Sequence, residues 1–274
     1  MSFEQEIANG ERFGFGRNWR DYLARIDAAA IEAARAHIRD WLQTDRLSGL
    51  TVLDIGSGSG LFSLAARDLG ARVISLDYDP DSVRCAELLR QEHFGEEDPD
   101  WEIRRGSILD AGEVESLPEA DVVYSWGVLH HTGAMHEAFA NVASRVRPGG
   151  RLMIAIYNDQ GWISRYWLGV KRLYNRHPWL RPLLIALHAP YLYLARRLLR
   201  WITRRPLERG MSLWHDMLDW LGGYPFEVAS PAEVEAFFSA RGFRLLRTHT
   251  VGRRQGCNEY LFVREVCNDQ PANV

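Results

Sequence analysis

Apolar and polar positions along the chain change period repeatedly, and the changes predict elements before any residue is given a role. Between 20 and 43, Ile26, Ala30, Ala33, Ala34, Ile38 and Trp41, with His37, recur at helical spacing. TVLDI (51–55) is a short β-branched run, and LFSLAARDLG (61–70) is a helix closed by Gly70. RVISLD (72–77) reads as a second strand. Asp79-Pro80 then forms a helix cap followed by proline at the first helical position, opening DSVRCAELLRQE. WEIRRGSI (101–108) and DVVYSWGVL (121–129) are strands, HEAFANVASRV (136–146) a helix, RPGG a turn and RLMIAIYN (151–158) a fifth strand. Strands separated by helices of roughly 10–15 residues predict a parallel sheet covered on both faces. After an atypical segment from 160 to 222 the pattern resumes. SPAEVEAFFSARGF (230–243) is a Ser-capped helix with Glu233 three residues on, followed by strands RLLRTHTV and NEYLFVRE.

Composition adds bounds. The 274 residues are 46% hydrophobic and 25% charged with a net charge of −3, ordinary for a soluble protein of one or two domains and unlike a general polyanion binder. Cys85, Cys257 and Cys267 are too scattered for a disulfide framework or a zinc site, so a reducing, cytoplasmic setting is expected. MSFEQEIANGERFG does not read as a signal peptide. No apolar run reaches the ~18 residues of a membrane span.

The chemistry concentrates in LDIGSGSGLF (53–62). A glycine-rich turn after a first strand holds a nucleotide at the carboxyl ends of the strands. The dinucleotide fingerprint G-x-G-x-x-G does not fit, because Leu61 stands where its third glycine belongs. Asp54 precedes the turn, and a carboxylate there repels pyrophosphate while suiting an ammonium or sulfonium, directly or through water. Asp77, ending strand two, stands where an acid accepts both hydrogen bonds of a ribose diol. An acid for a cation, bare glycine backbone and an acid for a ribose together describe S-adenosyl-L-methionine, with S-adenosyl-L-homocysteine as product.

VLDIGSGSG, LDYD, RRGSILD and YSWGVLHH stand in the order and context of the motifs of class I S-adenosylmethionine-dependent methyltransferases, which the chain resembles over about 45–158 and again over about 230–265. VLHH and RPGG resemble elements of ubiquinone-biosynthesis O-methyltransferases and similar small-molecule methylases. The resemblance implies an α/β, Rossmann-like, seven-stranded, mostly parallel sheet with its last strand antiparallel, and here an α-helical cap inserted after strand five. The expected division is a helical lid at 1–44, the sheet domain at 45–159 and 228–266, and the cap at 160–227. By resemblance, Gly56, Ser57, Gly58 and Gly60 contact the cofactor through the turn and Asp54 serves the methionine end. Asp77 takes the ribose, Tyr78 packs on adenine, and Ser107 and Ile108 lie at the adenine edge, where many members carry aspartate in place of Ser107. Trp126 is expected to wall the methyl site.

Methyl transfer is an in-line displacement with a good leaving group, so positioning and water exclusion supply much of the catalysis. A hydroxyl acceptor adds the need for a general base within ~3 Å of its proton, and histidine is the natural choice. The candidates are His130 and His131 after strand four, Tyr157-Asn158-Asp159 after strand five, and His215-Asp216 within GMSLWHDMLDWLGGYPFE (210–227). His215 is preferred, because the Gly222-Gly223-Tyr224-Pro225 turn folds its segment back over the crevice. RFGFGRNW (12–19) is expected to fold over the cofactor, with Arg17 or Trp19 touching it. No metal site is expected.

The insertion from 161 to 210 holds eleven Lys/Arg against one acid, Glu208, together with many Trp and Tyr. Three readings stay open: a lid or homodimer surface, peripheral contact with the inner membrane surface to reach a lipid-linked acceptor, and binding of RNA or another polyanion. The functional expectation is O-methylation of a small or lipid-linked molecule by a cytoplasmic enzyme. The alternatives are an RNA methyltransferase and a non-catalytic cofactor-binding subunit.

Overall fold

A computed structural model describes residues 2–16, 23, 26–95, 98–195 and 213–266, with backbone alone for 194–195 and 213–216. Its seven strands are β1 (Thr51–Ile55), β2 (Arg72–Asp77), β3 (Trp101–Arg105), β4 (Ala120–Trp126), β5 (Val146–Tyr157), β6 (Phe243–His249) and β7 (Cys257–Arg264). They lie in the order β3-β2-β1-β4-β5-β7-β6. The first five are parallel, and β7 runs antiparallel between β5 and β6. The expected sheet is therefore present, with β7 as its reversed strand.

Side chains alternate across each strand and so sort the core into two layers. Leu53 and Ile55 of β1 join α5 (Ala111–Ser116), α6 (Met135–Ser144) and α10 (Pro231–Ser239) on one face. Val52 shares the other face with α2 (Ala28–Leu42), α3 (Leu61–Asp68) and α4 (Pro80–Phe94). The ends of these helices follow the expected chemistry. Asp79 caps α4 ahead of Pro80, and Ser230 and Glu233 close a capping box on α10.

Three expectations change. The first long helix starts at Ala28, where Asp27 accepts the Ala30 N–H, and Ile31, Ala34, Ile38 and Trp41 pack into the sheet layer. That part of 1–44 is therefore core, and among the described residues the segment with α1 (Phe3–Ala8) and residues 9–16 crosses the top of the sheet. β4 stops at Trp126, because Gly127 takes φ +79° and Leu129–His131 wind into a 3-10 turn. β5 begins before RPGG, with Val146 paired to Ala120 and pairing resuming at Val122↔Arg151, so the intervening residues bulge from the ladder.

After β5 the chain forms α7 (Trp162–Arg176), a 3-10 turn at Pro178–Leu180, α8 (Arg181–Ala189), a π turn at Pro190–Ala195 and α9 (Leu213–Gly222). The expected helical insertion is thus in place. It has an apolar core of its own, including Trp167, Tyr174, Leu184, Met217 and Phe226, with Tyr157 and Phe13 packed against it from outside.

Candidate functional site

The glycine turn is fastened to the end of β2. The Gly56 N–H donates to the Leu76 carbonyl at 2.7 Å, and Gly56, Gly58 and Gly60 all take positive φ. A Cβ on Gly56 would stand 2.3 Å from a methyl of Val128, and one on Gly60 would stand 2.9 Å from Ala86. The turn therefore needs glycine both for backbone conformation and for close approach. The Gly58 N–H donates to one carboxylate oxygen of Asp77 at 2.9 Å, and the Asp79 N–H donates to the other at 2.9 Å. Each oxygen keeps a further lone pair for hydroxyl donors. Burial raises the Asp77 carboxyl to about 6, and its bonds to Gly58 and Asp79 oppose the shift.

Asp54 lies behind the turn. Strand parity turns its carboxylate toward α3, where it is 3% exposed and accepts from Ser63 Oγ at 2.6 Å. Ser63 continues to Ser75 at 2.7 Å, and the Trp101 indole N–H donates to Ser75 at 2.8 Å. A buried polar chain thus runs behind the turn. Burial raises the Asp54 carboxyl to about 7, against a usual value of 3.8. The folded chain then binds this proton more tightly than the unfolded chain, so stability is full below pH ~4 and falls as pH rises toward 7. Asp54→Asn is expected to melt higher than the wild type at pH 8 by roughly 2–8 °C, the shift that about 1–2 kcal/mol gives a chain of this size. The gap should close at pH 4. Scanning calorimetry at the two pH values checks it, and equal melting points at pH 8 would refute a buried, reluctant carboxylate.

Two other residues pack into the core. Trp126 shares strand parity with Tyr124 and stacks on it at 5.6 Å, with its edge against His37 and Trp41 on α2. It walls the α2 layer, which corrects the expected methyl-site role. Ile108 is 5% exposed within the opposite layer, and Asn141 Nδ2–H donates to its carbonyl at 2.7 Å, locking it there. Ser107 Oγ accepts the Leu109 N–H at 3.1 Å in a turn after β3. Tyr78 is engaged by the N-terminal segment, with the Phe3 edge at 5.3 Å, the Arg12 guanidinium over its ring at 5.1 Å and its hydroxyl donating to Glu6 at 3.3 Å.

That segment spans the top of the sheet. The Gly16 N–H donates to Asp79 at 2.7 Å, Arg12 donates to the His131 carbonyl at 3.0 Å, and the Phe13 N–H donates to the Tyr224 carbonyl at 2.8 Å. Residues 12–16 therefore bridge the ends of β2 and β4 to the exit of the insertion. Arg17 and Trp19 lie outside the described residues.

On the acceptor side, His130, His131 and Tyr157 come together, with ring centroids of the two histidines 4.5 Å apart and Tyr157 at 3.9 and 5.3 Å from them. The Tyr157 N–H donates to His130 Nδ1 at 3.3 Å, which leaves the proton of the neutral ring on Nε2. His131 Nδ1 lies 2.6 Å from the Pro225 carbonyl, an obligate acceptor, so Nδ1 carries the proton and Nε2 the lone pair. Burial pushes His131 down to about 3, the positive Lys171 and Arg12 push the same way, and the Pro225 bond opposes them. Asn158 is spent on structure, donating to the Gly252 carbonyl and accepting from Asn258. Asp159 accepts the Gly161 N–H in the turn into α7. The His215 side chain lies outside the described residues, although its backbone opens α9.

Several residues at the site carried no role in the sequence reading. Val128 is the wall that Gly56 abuts. Glu227 accepts the Gly133 and Met135 N–H groups at 3.0 and 3.1 Å, pinning the insertion's exit beneath the histidines. Lys171 is 0% exposed, donates to the Trp220 carbonyl and lies 4.4 and 4.8 Å from the rings of Trp220 and Phe226. Asn175 Nδ2–H donates to the Gly222 carbonyl at 2.7 Å, so the two α7 residues satisfy carbonyls at the C-terminal end of α9. Burial lowers Lys171 to about 7, and Asp219 opposes the shift. A Cβ on Gly223 would stand 3.1 Å from the His131 ring, which makes the Gly222-Gly223 turn a close-packed lid on that histidine. No cluster of metal-ligating side chains occurs among the described residues.

The site fits S-adenosylmethionine. Ser57 Oγ is buried in the glycine turn without a protein partner, and the acids around it suit hydroxyls and a cation better than phosphate. A seven-stranded sheet in this order with such a turn at the ends of β1 and β2 has the architecture of the class I S-adenosylmethionine-dependent methyltransferases. A family model described as a methyltransferase domain matches residues 22–230, and the chain belongs to that family. A ubiquinone biosynthesis O-methyltransferase of Methylobacterium sp. (strain 4-46) is 35% identical over 126 residues, 46% of this chain and 48% of that protein. A tRNA U34 carboxymethyltransferase of Pseudoalteromonas translucida is 36% identical over 111 residues, 39% of this chain and 32% of that one. The match to these curated relatives thus spans half their length or less. Magnesium protoporphyrin IX methyltransferase from Synechocystis PCC 6803, solved with bound S-adenosylhomocysteine, superposes with a TM-score of 0.53 at 18% identity, covering 91% of this chain and 94% of that one. It shares the fold.

Proposed function

We propose that the protein transfers the methyl group of S-adenosylmethionine to a hydroxyl of a small or lipid-linked acceptor. The observation that carries the reading is the pairing of the glycine turn with Asp77, whose carboxylate takes the Gly58 N–H at the ends of β1 and β2. Asp77 would hold the ribose, and the bare backbone of Gly56 to Gly60 would admit the methionine end. When bound, the cofactor supplies an electrophilic methyl group on a sulfonium. The acceptor side is aromatic where it meets the histidines: Tyr157 stands 5.3 Å from both Trp220 and Phe226. Such a wall suits a flat, largely apolar molecule bearing one polar group.

His131 is the proton acceptor in this reading. Its Nδ1–H is fixed on Pro225, and burial keeps its Nε2 lone pair free of protons at any working pH. A weak base suffices, because a hydroxyl becomes strongly acidic as its oxygen acquires a third substituent and positive charge during methyl transfer. The N-terminal segment and the Gly222-Gly223 turn would exclude water from the reacting atoms.

Incubating the full chain with methyl-labelled cofactor and fractionated cell extract tests the reading. Label is expected in small molecules or extracted lipids, as an ether that survives mild alkaline hydrolysis. Label confined to RNA or to protein would overturn it and favour the alternative represented by the tRNA-modifying relative. Binding of cofactor with no transfer to any fraction would favour a non-catalytic subunit.

A further inference from the structure

The α7–α8 hairpin has an outer face that its own core does not use. Its inner face is closed by Trp167, Val170, Tyr174 and Leu184, and the helices are tied by Tyr166 hydroxyl to His188 Nε2 at 2.7 Å and by Arg181 to the Tyr174 carbonyl at 3.0 Å. On the outside, Trp162 is 70% exposed, and Tyr166 and Leu173 stand four and eleven residues further on, along one stripe of α7. Trp179 at the bend is 75% exposed, and Leu183 and Leu187, one turn apart on α8, are 63% and 66% exposed. Large apolar side chains gathered in this way on a water-soluble fold mark a contact surface.

Charge selects the occupant. Exposed Arg165, Arg172 and Arg176 form a second stripe of α7 directly beside the aromatic one. Between 160 and 195 the sequence holds no Asp or Glu, and 196–209 adds six arginines against Glu208 alone. A second copy would bring arginine to arginine across a two-fold axis, with no acid in the segment to answer it. RNA would match the arginines but gives Leu173, Leu183 and Leu187 nothing apolar to enter. An anionic bilayer answers both, with headgroups for the guanidinium groups and an acyl boundary for indole and leucine side chains. No helix among the described residues is long and apolar enough to cross a membrane.

We propose that the outer face of the α7–α8 hairpin seats the protein on an anionic lipid bilayer. The attachment goes beyond the methyl-transfer reading and does not depend on which acceptor is used. The hairpin starts where β5 ends beside Tyr157, so a seated hairpin brings the histidine side of the site toward the membrane.

Flotation of the full chain with vesicles tests the proposal. Vesicles with roughly one phosphatidylglycerol in three are expected to bind at least about tenfold more tightly than pure phosphatidylcholine. High salt should weaken the binding and should not abolish it. Trp162→Ser combined with Trp179→Ser and Leu187→Ser should lower vesicle affinity by about tenfold or more, leave S-adenosylhomocysteine binding unchanged and raise solubility. Equal binding to neutral and anionic vesicles, or wild-type binding by the triple variant, would overturn the proposal. So would a dimer in sedimentation equilibrium that the triple variant dissolves, or RNA binding that depends on the same three side chains. Failure of methyl transfer with intact vesicle binding would fault the catalytic reading alone.

Discussion

Gly56→Ala is expected to remove detectable S-adenosylhomocysteine binding, and Val128→Ala is expected to restore part of it. Gly56 sits at φ +77°, where an L side chain costs about 1–2 kcal/mol. The new methyl would meet Val128 Cγ1 at 2.3 Å, Cγ2 at 2.5 Å and Cβ at 2.9 Å, contacts that a rotation of the valine alone does not clear. Overpacking of that kind costs about 1–3 kcal/mol, so the two terms together approach the lower end of the ~5–15 kcal/mol that holds a typical domain folded. The turn is the part that can yield. Its displacement would break the Gly56–Leu76 bond and carry Gly58 away from Asp77. Val128→Ala removes the two shortest overlaps and leaves the 2.9 Å contact with Cβ and the backbone strain, so the double variant should recover stability and affinity in part, which a double-mutant cycle reads directly. Calorimetric titration with circular dichroism as a folding control decides the matter; wild-type affinity in Gly56→Ala would show that the turn is not the ligand cradle.

The second large effect is catalytic. His131→Ala should cut turnover by the ~10²–10⁴ typical of losing a proton acceptor, with cofactor affinity unchanged. His131 holds its neutral form above a value of about 3, so kcat should be flat across pH 5 to 8 apart from losses of stability. Asp77 behaves otherwise. Its carboxyl, raised to about 6, loses its charge as pH falls through that value, so kcat/KM for the cofactor should decline there while kcat does not. An acid limb in kcat near the ordinary histidine range would exclude His131 and point to another imidazole such as His215. Full turnover in His131→Ala would do the same.

How much of this was legible in the sequence depends on whether a residue's role is set by its neighbours along the chain. The turn at Gly56, Gly58 and Gly60 and the place of Asp77 at the end of β2 were readable, because a turn between a strand and a helix is fixed locally. The Ser230–Glu233 capping box was readable for the same reason. Trp126 was misread although its parity with Val122 and Tyr124 on β4 already turned it toward α2. Lys171 was missed although it follows Trp167 by four residues and precedes Tyr174 by three, which puts it on the buried stripe of α7. Arg12, Phe13 and Gly16 had no local pattern to reveal their partners, since His131, Tyr224 and Asp79 are distant in sequence and meet them only in the finished fold. Asp54 illustrates a different limit: the sequence announced an acid beside the turn, and only the serines on α3 and β2 disclosed that it faces inward.

The span from Phe13 to Tyr224 has a consequence for the order in which the molecule is built. Residues 12–16 leave the ribosome before the sheet, yet the carbonyl that receives the Phe13 N–H emerges some two hundred residues after Phe13, and contacts of such separation close late. A nascent chain can complete β1 to β5 and the glycine turn well before the turn at 222–225 exists to hold the strap. During that interval Phe13 and Phe15 have no seat at Gly222 and Gly223, whereas the partners of Gly16 and Arg12, Asp79 and the His131 carbonyl, are already present. Closure of the strap at its Phe13 end is therefore tied to the synthesis of residues 222–225, after the sheet that it covers has begun to form.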